Sequence, residues 1–253
     1  MSEKPARIGG LHAVRAALDA HADAPVRAIW VTQGRNDRRI TELVEAAASL
    51  GVSVHRVDPR ELDRMLAGVR HQGIAAEVRL PETHDEHSLR ALIENADRPA
   101  LLLVLDGVTD PHNLGACLRS AEAAGALAVV APRDRAVGLT PTVAKVAAGA
   151  AGRIPFVQVT NLARTLRELQ GLGLWLVGMA DGATQSLYAT DLSGPVALVL
   201  GAEGAGLRRL TAEQCDFLAR IPMAGAVESL NVSVAAGVCL FEAVRQRAAP
   251  PAR

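Results

Sequence analysis

Residues 101–132 read LLLVLDGVTDPHNLGACLRSAEAAGALAVVAP, and this stretch decides the fold of the larger part of the chain. The uninterrupted apolar run at 101–105 predicts a strand buried on both faces. Asp110 and Pro111 then have the residue types of a helix N-cap and a first helical residue. The segment ALAVVAP (126–132) is apolar again. A strand, a helix and a second strand in this order predict a parallel βαβ unit.

The same alternation continues to the end of the chain and predicts one α/β domain over residues 100–249. We expect a parallel sheet with helices on both faces, and ligands beyond the carboxyl ends of its strands. The further predicted strands are IPFVQV (154–159), LWLVGM (174–179), VALVL (196–200) and FLARIP (217–222).

Residues 1–80 predict a separate, small α/β sandwich. Helical and strand patterns alternate there, and one helix ends at Gly51. The segments in order are LHAVRAAL, VRAIWV, ITELVEAAASLG, VSVHRV, PRELDRML and GIAAEV. Residues 81–99 hold two basic and five acidic groups between Pro81 and Pro99, so they predict an acidic linker with one short helix over 88–95.

The amino-acid composition excludes some classes of function. The 253 residues are 49% apolar and 21% charged, which is typical of a globular protein. The 27 basic and 27 acidic side chains argue against a polycation that grips nucleic acid through bulk charge. The balance by segment is +2 for 1–80, −3 for 81–99 and +1 for the remainder, which leaves room for a local basic patch. Six aromatic residues provide little material for base stacking.

The cysteines and the N-terminus indicate a cytoplasmic protein. Cys117, Cys215 and Cys239 are far apart and lack a CxxC spacing, so neither a disulfide framework nor a zinc knuckle is expected. The start is polar, and no stretch reaches the length of apolar sequence that a membrane span needs. His84 and His87 have an i, i+3 spacing but no third ligand nearby, so no metal site is expected.

Three loops that follow predicted strands carry unusual residues. In the first, Arg119 and Glu122 could form a surface pair on a capped helix, or the run PHNLGA could allow close approach of a ligand. In the second, Gly201, Gly204 and Gly206 have the spacing GxxGxG rather than GxGxxG, which disfavours a nicotinamide dinucleotide site and an oxidoreductase.

The third loop leads into the last helix. Ser229 is a candidate N-cap of that helix, which places Asn231 in the first turn, where it is a poor helix former and needs another purpose. The small face made by Val232, Ala235–Ala236 and Cys239 fits a tight domain or subunit contact.

Together, NLGACLRSAEAAGA, LVLGAEGAGL and IPMAGAVESLNVSVAAG resemble the three ordered motifs of the SpoU/TrmH branch of SPOUT RNA methyltransferases. GGLHAVRAAL and HQGIAAEV resemble the L30e-like substrate-binding domain found in ribosomal RNA enzymes of that branch, so the resemblance covers nearly the whole chain. It implies a homodimer with shared active sites, and a deep trefoil knot in the C-terminal domain, an exception to the rule that connections do not thread.

The resemblance also implies a pocket for S-adenosyl-L-methionine. The cofactor would contact the backbone at Gly201, Ile221 and Leu230, and two loops would enclose it. These loops are residues 203–206, with Glu203 and Gly204, and residues 223–229, with Met223 and Ser229.

The implied reaction is methylation of a ribose 2′-hydroxyl, with a guanosine of 23S rRNA as the expected target. Arg119 would act as base or as stabiliser of the developing alkoxide, and stabilisation is preferred because arginine stays protonated. Asn113, Ser229 and Asn231 would hold the ribose and Arg119, and Glu203 would orient Arg119 or the cofactor side.

RNA recognition by placed cations is the expectation for residues 1–80. The candidates are Arg35, Arg38 and Arg39, and further cations are Arg60, Arg64 and Arg70. They could equally form a solvated face together with Asp37, Glu61 and Asp63. Two alternatives for the whole chain stay open: a tRNA ribose methyltransferase of the same superfamily, and a non-catalytic RNA-binding protein with this fold.

Overall fold

The chain forms two compact units. The structure is a computed structural model that describes residues 3–22, 24–35, 37–66 and 71–248, with side chains described from Pro5 onward. The N-terminal unit consists of the described residues up to Glu82 together with Leu139–Gly149. The C-terminal unit consists of Thr83–Gly138 and the described residues from Ala150 onward.

The N-terminal unit is an α/β sandwich around a four-stranded sheet. Its sheet order is β1-β4-β2-β3, with β2 and β3 parallel and the other neighbours antiparallel. One face carries α1 and α2, and the other carries α3 through the buried Leu62 and Leu66. The elements are β1 (Glu3–Gly9), α1 (Leu11–Asp19), β2 (Val26–Thr32), α2 (Arg38–Ser49), β3 (Ser53–Val57), α3 (Pro59–Leu66) and β4 (Ile74–Pro81).

Strand β1 is a strand of this unit that the sequence patterns missed. It pairs along its whole length with β4, from Glu3 opposite Pro81 to Gly9 opposite Ala75. Its sequence, EKPARIG, alternates only at Ala6 and Ile8, too short a pattern to predict a strand, and it contains a proline. An edge strand tolerates a proline, because one of its sides makes no ladder hydrogen bonds.

The C-terminal unit is built on an eight-stranded sheet. The strand order is β10-β12-β9-β11-β6-β7-β8-β5, and every neighbouring pair is parallel. The elements are β5 (Thr83–His84), α4 (Glu86–Glu94), β6 (Leu101–Asp106), α5 (Pro111–Ala123), β7 (Ala128–Pro132), α6 (Pro141–Ala147), β8 (Phe156–Val159), α7 (Leu162–Gly171), β9 (Trp175–Met179), β10 (Gln185–Ser186), β11 (Val196–Gly201), α8 (Arg209–Ala212), β12 (Phe217–Arg220) and α9 (Val232–Ala248). Helix α6 lies within this stretch of sequence but belongs to the N-terminal unit, where its residue Ala144 is part of the hydrophobic core.

The predicted α/β architecture with a covered parallel sheet is confirmed. All six residues of β6 and all five of β7 are buried, as expected for strands with helices on both faces. Leu89 of α4 and Leu166 of α7 pack on the face that carries Leu102 and Val104. Helices α5 and α9 pack on one another, and α9 also contacts β11.

The predicted linker at 81–99 needs a correction, because most of it is structured within the C-terminal unit. Strand β5 extends the sheet beside β8, and α4 begins two residues earlier than the predicted helix. Asp85 caps α4 by accepting from the backbone N–H of Ser88 at 2.9 Å, and this bond lowers the pKa of the aspartate. Glu86 accepts from the backbone N–H of Thr160 at 2.6 Å, which lowers the pKa of the glutamate. The acidic residues of the segment therefore cap α4 and attach it to the residue that follows β8.

The small-residue face of α9 also lies elsewhere than expected. Val232, Ala236 and Cys239 are buried inside the C-terminal unit, where α9 packs on α5. Burial raises the pKa of Cys239 to about 12, so the neutral thiol acts as a small apolar group. The side chains that α9 exposes are larger: Val234 is 52% exposed and Phe241 is 51% exposed.

Arg247 anchors the C-terminal end of α9 beneath the sheet. Its half-buried guanidinium donates to the carbonyl oxygens of Pro99 at 3.0 Å, Ala100 at 3.2 Å, Leu192 at 3.1 Å and Gly194 at 2.6 Å. These carbonyls precede β6 and β11, so the last helix is tied to the amino ends of two central strands. Burial lowers the pKa of Arg247.

Replacing Arg247 by methionine should destabilise the C-terminal unit. Methionine keeps the apolar stem but removes the donors for these carbonyl oxygens, so we expect the free energy of unfolding to fall by about 2–3 kcal/mol. Urea unfolding followed by circular dichroism measures this. Arg90→Met is the control: Arg90 is 63% exposed and pairs with Glu94 four residues on, and its loss should cost about 0.5 kcal/mol or less. Equal effects of the two substitutions would contradict the anchoring role.

Candidate active site

The site is organised around a buried aspartate at the carboxyl end of β6. Asp106 is 1% exposed, and its Oδ2 accepts from the backbone N–H of Arg208 at 3.0 Å. Its Oδ1 accepts from the guanidinium of Arg208, with Nε at 2.5 Å. A buried carboxylate requires such partners, because burial without them is costly. The pair therefore fastens the chain that follows β11 to the end of β6.

The loop between β11 and Arg208 has no room for side chains at its base. A Cβ on Gly201 would lie 2.0 Å from the carbonyl carbon of Gly206 and 2.3 Å from the nitrogen of Leu207. The loop closes through a hydrogen bond of 2.9 Å from the N–H of Gly206 to the carbonyl of Ala202. Gly204 and Gly206 have φ of +72° and +63°, a region that glycine adopts without strain. The glycine spacing therefore produces a tight reversal directly beyond the strand.

One carboxylate joins the three predicted loops. Oε1 of Glu203 accepts from Nδ2 of Asn113 at 3.2 Å, from Nδ2 of Asn231, and from the backbone N–H of Val232 at 3.4 Å. Nδ2 of Asn231 also donates to Oδ1 of Asn113 at 2.9 Å. Asn113 is 9% exposed, so the network is shielded from water on the side of α5. The start of α5, residues 201–206 (the glycine loop) and the start of α9 are thereby held in fixed positions relative to one another.

Asn231, not Ser229, is the residue at the N-cap of the last helix. Helix α9 begins at Val232, and Oδ1 of Asn231 accepts from the N–H of Ser233 at 2.9 Å. The carbonyl of Asn231 accepts from the N–H of Ala235 at 2.9 Å. Asparagine is among the favoured N-cap residues, which explains a residue that looked out of place in a first helical turn. Ser229 lies in the preceding loop.

A cavity of about 240 Å³ opens beyond the carboxyl ends of β9, β11 and β12. All the residues that the family resemblance assigned to the cofactor line this one cavity. They are Gly201, Glu203, Gly204, Ile221, Met223, Ser229 and Leu230. Since they come from two separate loops, the folded chain is what makes them one surface.

Sequence reasoning missed one wall of this cavity. Met179, Ala180 and Asp181 line it at the end of β9, and Arg220 lines it at the end of β12. Glu228 also lines it, from the loop 223–229 that the resemblance assigned to the cofactor. The dipeptide Asp181-Gly182 after a predicted strand was the available signal, because parallel strands end at the same edge of the sheet. With Glu203, the lining holds three carboxylates against one guanidinium, so it favours a ligand with positive charge.

Arg119 lies exposed on α5 and pairs neither with Glu122 nor with Glu203. Glu122 pairs with Arg153 at 3.2 Å, so the alternative of an Arg119–Glu122 surface pair is not formed. Glu203 is engaged by the two asparagines and the start of α9, so it does not orient Arg119. Within the described part of the chain, the Arg119 side chain makes no hydrogen bond or ion pair, which leaves its guanidinium available to a ligand.

The three candidate RNA-binding arginines of the N-terminal unit differ from one another. Arg35 is a brace: its Nε binds Asp37 at 2.8 Å and its Nη1 donates to the carbonyl of Gln72. Arg38 is 92% exposed and pairs with Glu42 at 3.0 Å. The Arg39 side chain is exposed and has no hydrogen-bond or ion-pair partner among the described residues.

Of the remaining predicted cations, Arg60 and Arg64 lie exposed on α3. Nε of Arg64 donates to the backbone carbonyl of Arg60, one turn earlier in α3, at 3.4 Å. Arg70 lies outside the residues that the structure describes.

Within the described ranges, no group of three or more His, Cys, Asp and Glu side chains is arranged to hold a metal ion. No helix among these residues has both the length and the apolar character of a membrane span.

Comparison with known proteins assigns the family. Residues 100–241 match the model of the SpoU rRNA Methylase family, and residues 7–84 match the model described as RNA 2′-O ribose methyltransferase substrate binding. The protein belongs to the SpoU rRNA methylase family. The three motif loops and the cavity-lining residues of the glycine and Met223–Ser229 loops all fall inside the first match.

Curated SpoU relatives match over nearly the whole chain. The chain is 56% identical over 241 residues to the 23S rRNA (guanosine-2′-O-)-methyltransferase RlmB of Pseudomonas putida, covering 95% of this chain and 96% of the relative. It is also 56% identical to the protein of that name from Coxiella burnetii, covering 96% of each.

Solved structures of SpoU proteins share the fold. A structure described as an RNA 2′-O ribose methyltransferase is 30% identical with a TM-score of 0.58, covering 96% of this chain and 89% of that chain. The SpoU methyltransferase AviRb from Streptomyces viridochromogenes, solved in complex with AdoMet, has a TM-score of 0.62 at 24% identity, covering 96% and 90%.

Replacing Gly201 by alanine should block the cavity beyond the carboxyl ends of β9, β11 and β12. The new Cβ would overlap backbone atoms of Gly206 and Leu207, which cannot move aside as a flexible side chain could. We expect Gly201→Ala to abolish binding of S-adenosylmethionine, measured by isothermal titration calorimetry, and to lower the melting temperature. Gly171→Ala, where a Cβ meets open space at the end of α7, should leave both unchanged or raise stability slightly. Normal affinity in Gly201→Ala would contradict this geometry.

Proposed function

We propose that the protein methylates the 2′-hydroxyl of a guanosine ribose in 23S rRNA, using S-adenosyl-L-methionine. The curated relatives at 56% identity carry this activity in their names, and their matches cover both units. The observation that carries the proposal is the network of Asn113, Glu203 and Asn231 beside the cavity. It joins the three loops at one edge of the sheet, next to a helix that exposes an unpaired arginine.

The cavity suits the cofactor in shape and charge. Its base is backbone, since Gly201 leaves no room for a Cβ, and backbone N–H and C=O groups can therefore approach a ligand closely. Ile221 and Leu230 would provide the backbone contacts and the apolar walls, with Met223 and Ser229 closing one side. S-adenosylmethionine carries a net positive charge, and when bound it supplies the methyl group from its sulfonium.

Arg119 is the group that we place at the reacting oxygen. A ribose hydroxyl becomes a better nucleophile as its proton is lost, and negative charge then develops on the oxygen. A charged guanidinium stabilises that oxygen by hydrogen bonds from its planar set of donors. Its lack of a partner among the described residues leaves its donors for the substrate.

Asn113, Glu203 and Asn231 are positioning residues in this proposal, and Ser229 contacts the ribose. The carboxylate of Glu203 holds both amides, so neither can rotate without losing a hydrogen bond. Positioning of the two reactants supplies much of the rate enhancement when the transfer requires in-line attack. Glu203 therefore acts on the loops that carry the donors and not on Arg119.

The N-terminal unit would bind RNA. Arg39, and Arg38 on the same exposed turn, are the cations that we assign to phosphate contacts, whereas Arg35 braces the loop before α2. Because its substrate is ribosomal RNA, we place the protein in the cytoplasm. We infer no metal in the reaction, since these residues complete the roles that it needs.

The exposed face of α9 fits a second copy of the chain. Val234 and Phe241 are seven residues apart, which places them on one side of the helix, and each is about half exposed. Apolar side chains grouped on an outer helix face are typical of a subunit contact. A homodimer through α9 would bring a partner close to α5, with which α9 packs.

Arg119→Ala should lower kcat for methyl transfer to 23S rRNA by about 100- to 1000-fold, the range expected when a donor to a developing oxyanion is lost. Affinity for S-adenosylmethionine should change less than about twofold, because Arg119 does not line the cavity. Incorporation of labelled methyl into 23S rRNA and into tRNA, with calorimetry for the cofactor, measures both and identifies the substrate class.

Two further variants sharpen the Arg119 experiment. Arg119→Lys keeps the charge but loses the planar fork, so activity should be low but measurable. Arg167→Ala removes an exposed arginine from α7, away from the site, and should act like the wild type. Full activity in Arg119→Ala would refute the catalytic role, and methylation of tRNA alone would refute the rRNA assignment.

Phe241→Glu should dissociate the dimer. A carboxylate buried in an apolar contact loses its hydration without gaining a partner. We expect sedimentation equilibrium at micromolar concentration to give a dimer for the wild type and a monomer for the variant. Tyr188→Glu, at a side chain that is 54% exposed outside α9, should remain dimeric. A monomeric wild type, or a dimeric Phe241→Glu, would contradict this interface.

A further inference from the structure

A second cavity lies at the carboxyl edge of the same sheet, beside the one that we assign to the cofactor. Its volume is about 440 Å³. Pro132 at the end of β7 and Thr160 just after β8 form one side. Arg208 and Leu210, next to and within α8, form the other. The site proposed above uses the neighbouring part of this edge, beyond β9, β11 and β12, and none of its residues lines the second cavity.

The lining of the second cavity is rich in guanidinium groups. Arg135, Arg208 and Arg209 contribute to it, against one carboxylate, Asp134. Arg208 is bound to Asp106, and Arg209 pairs with Glu213 at 2.5 Å while remaining 78% exposed. Arg135 is exposed and has no hydrogen-bond or ion-pair partner in the described part of the chain. Each guanidinium has five N–H donors, so all three retain donors for an anion.

The backbone holds Arg135 in an uncommon conformation. Its φ is +57°, in the left-handed region that residues with a Cβ rarely adopt. The loop is tied down on its far side by a hydrogen bond of 2.9 Å from the N–H of Val137 to the carbonyl of Val108. Strained residues that persist in a well-anchored loop occur frequently at ligand-binding positions. The loop therefore presents the Arg135 side chain at a defined place.

The two cavities have no lining residue in common, but their linings approach each other beside Gly107. The residue after Asp106, Gly107, has the carbonyl oxygen of Arg135 and the Cβ of Ala202 each 3.9 Å from where its own Cβ would be. Ala202 lines the first cavity and Arg135 lines the second. The Asp106–Arg208 pair lies at the same place. Arg208 lines the second cavity, and Gly206, two residues before it, lines the first. The linings of the two cavities therefore approach each other at the end of β6.

We propose that the second cavity binds a phosphodiester of the RNA strand next to the ribose that is methylated. The proposal rests on the proposed function, which places that ribose at the neighbouring part of the edge. Guanidinium forks match phosphate oxygens, and a chain of nucleotides carries such a phosphate on each side of any ribose. The exposed Leu210 at the rim offers an apolar surface to the sugar between two phosphates.

An RNA strand fits this cavity better than a free nucleotide does. Its lining contains no aromatic side chain to stack on a base, and Asp134 and Glu213 beside the arginines disfavour a compact polyanion. A phosphodiester has a single negative charge and is held in place by the rest of the chain. The subsite would therefore set the register of the strand, and would not read its sequence.

Arg135→Asn is the direct test. Asparagine tolerates the left-handed conformation, so the loop should keep its shape while the charge is lost. Binding of a full-length 23S rRNA transcript, measured by filter retention from 50 to 200 mM salt without methyl donor, should weaken about five- to tenfold. The slope of log Kobs against log salt should fall by about 0.7, the value for one contact to a single strand. Affinity for S-adenosylmethionine should be unchanged.

Matched variants complete the experiment. Arg167→Gln removes one exposed arginine outside this cavity and should keep both the affinity and the slope of the wild type. Arg135→Lys retains the charge and should recover the slope with only part of the affinity. If thermal melting shows that Arg135→Asn is unfolded, Arg135→Gly replaces it, because glycine also accepts this φ.

The outcomes separate the subsite from the proposed function. Unchanged RNA affinity and slope in Arg135→Asn, with a wild type that methylates 23S rRNA, would overturn the subsite alone. A wild type that does not methylate 23S rRNA would overturn the proposed function. If inorganic phosphate below 1 mM gives a calorimetric signal that Arg135→Asn abolishes, while RNA binding is unchanged, the cavity is a free-anion site and the proposal is wrong.

Discussion

The buried carboxylate of Asp106 is the interaction on which the rest of the site depends. It lies at the end of a central strand, and both of its oxygens are bound by Arg208, at the far end of the glycine loop. Without that partner a buried negative charge would remain uncompensated, which typically costs several kcal/mol. The pair keeps the glycine loop over the carboxyl edge, with the predicted cofactor cavity on one side and the arginine-lined cavity on the other.

Helix α9 completes the site because it is held at both ends. At its start, Asn231 caps the first turn and also donates to the network of Glu203 and Asn113. At its end, Arg247 binds carbonyl oxygens before two central strands. The loop that carries Ser229 is therefore confined between a strand and an anchored helix. Such confinement is what positions side chains for a reaction that depends on alignment.

Much of the site was predictable because parallel strands end at one edge. The loops with Gly201, Met223 and Ser229 follow strands of one sheet, and the structure brings them into a single cavity. The wall from β9 was missed because Asp181 and its neighbours carry no distinctive spacing. The acidic segment before β6 was misread, since capping by Asp85 and docking by Glu86 have the same composition as a solvated linker.

The sequence by itself determined the α/β class, the buried parallel strands and the three loops, because apolar periodicity and glycine spacing are local properties of the chain, and its three motifs resembled one family. Only the tertiary structure decided which groups meet. Glu203 binds two asparagines and not Arg119, and the small face of α9 packs within its own unit. Partners that lie 28 and 90 residues away in sequence are chosen by the sheet that places them together, and no local pattern contains that information.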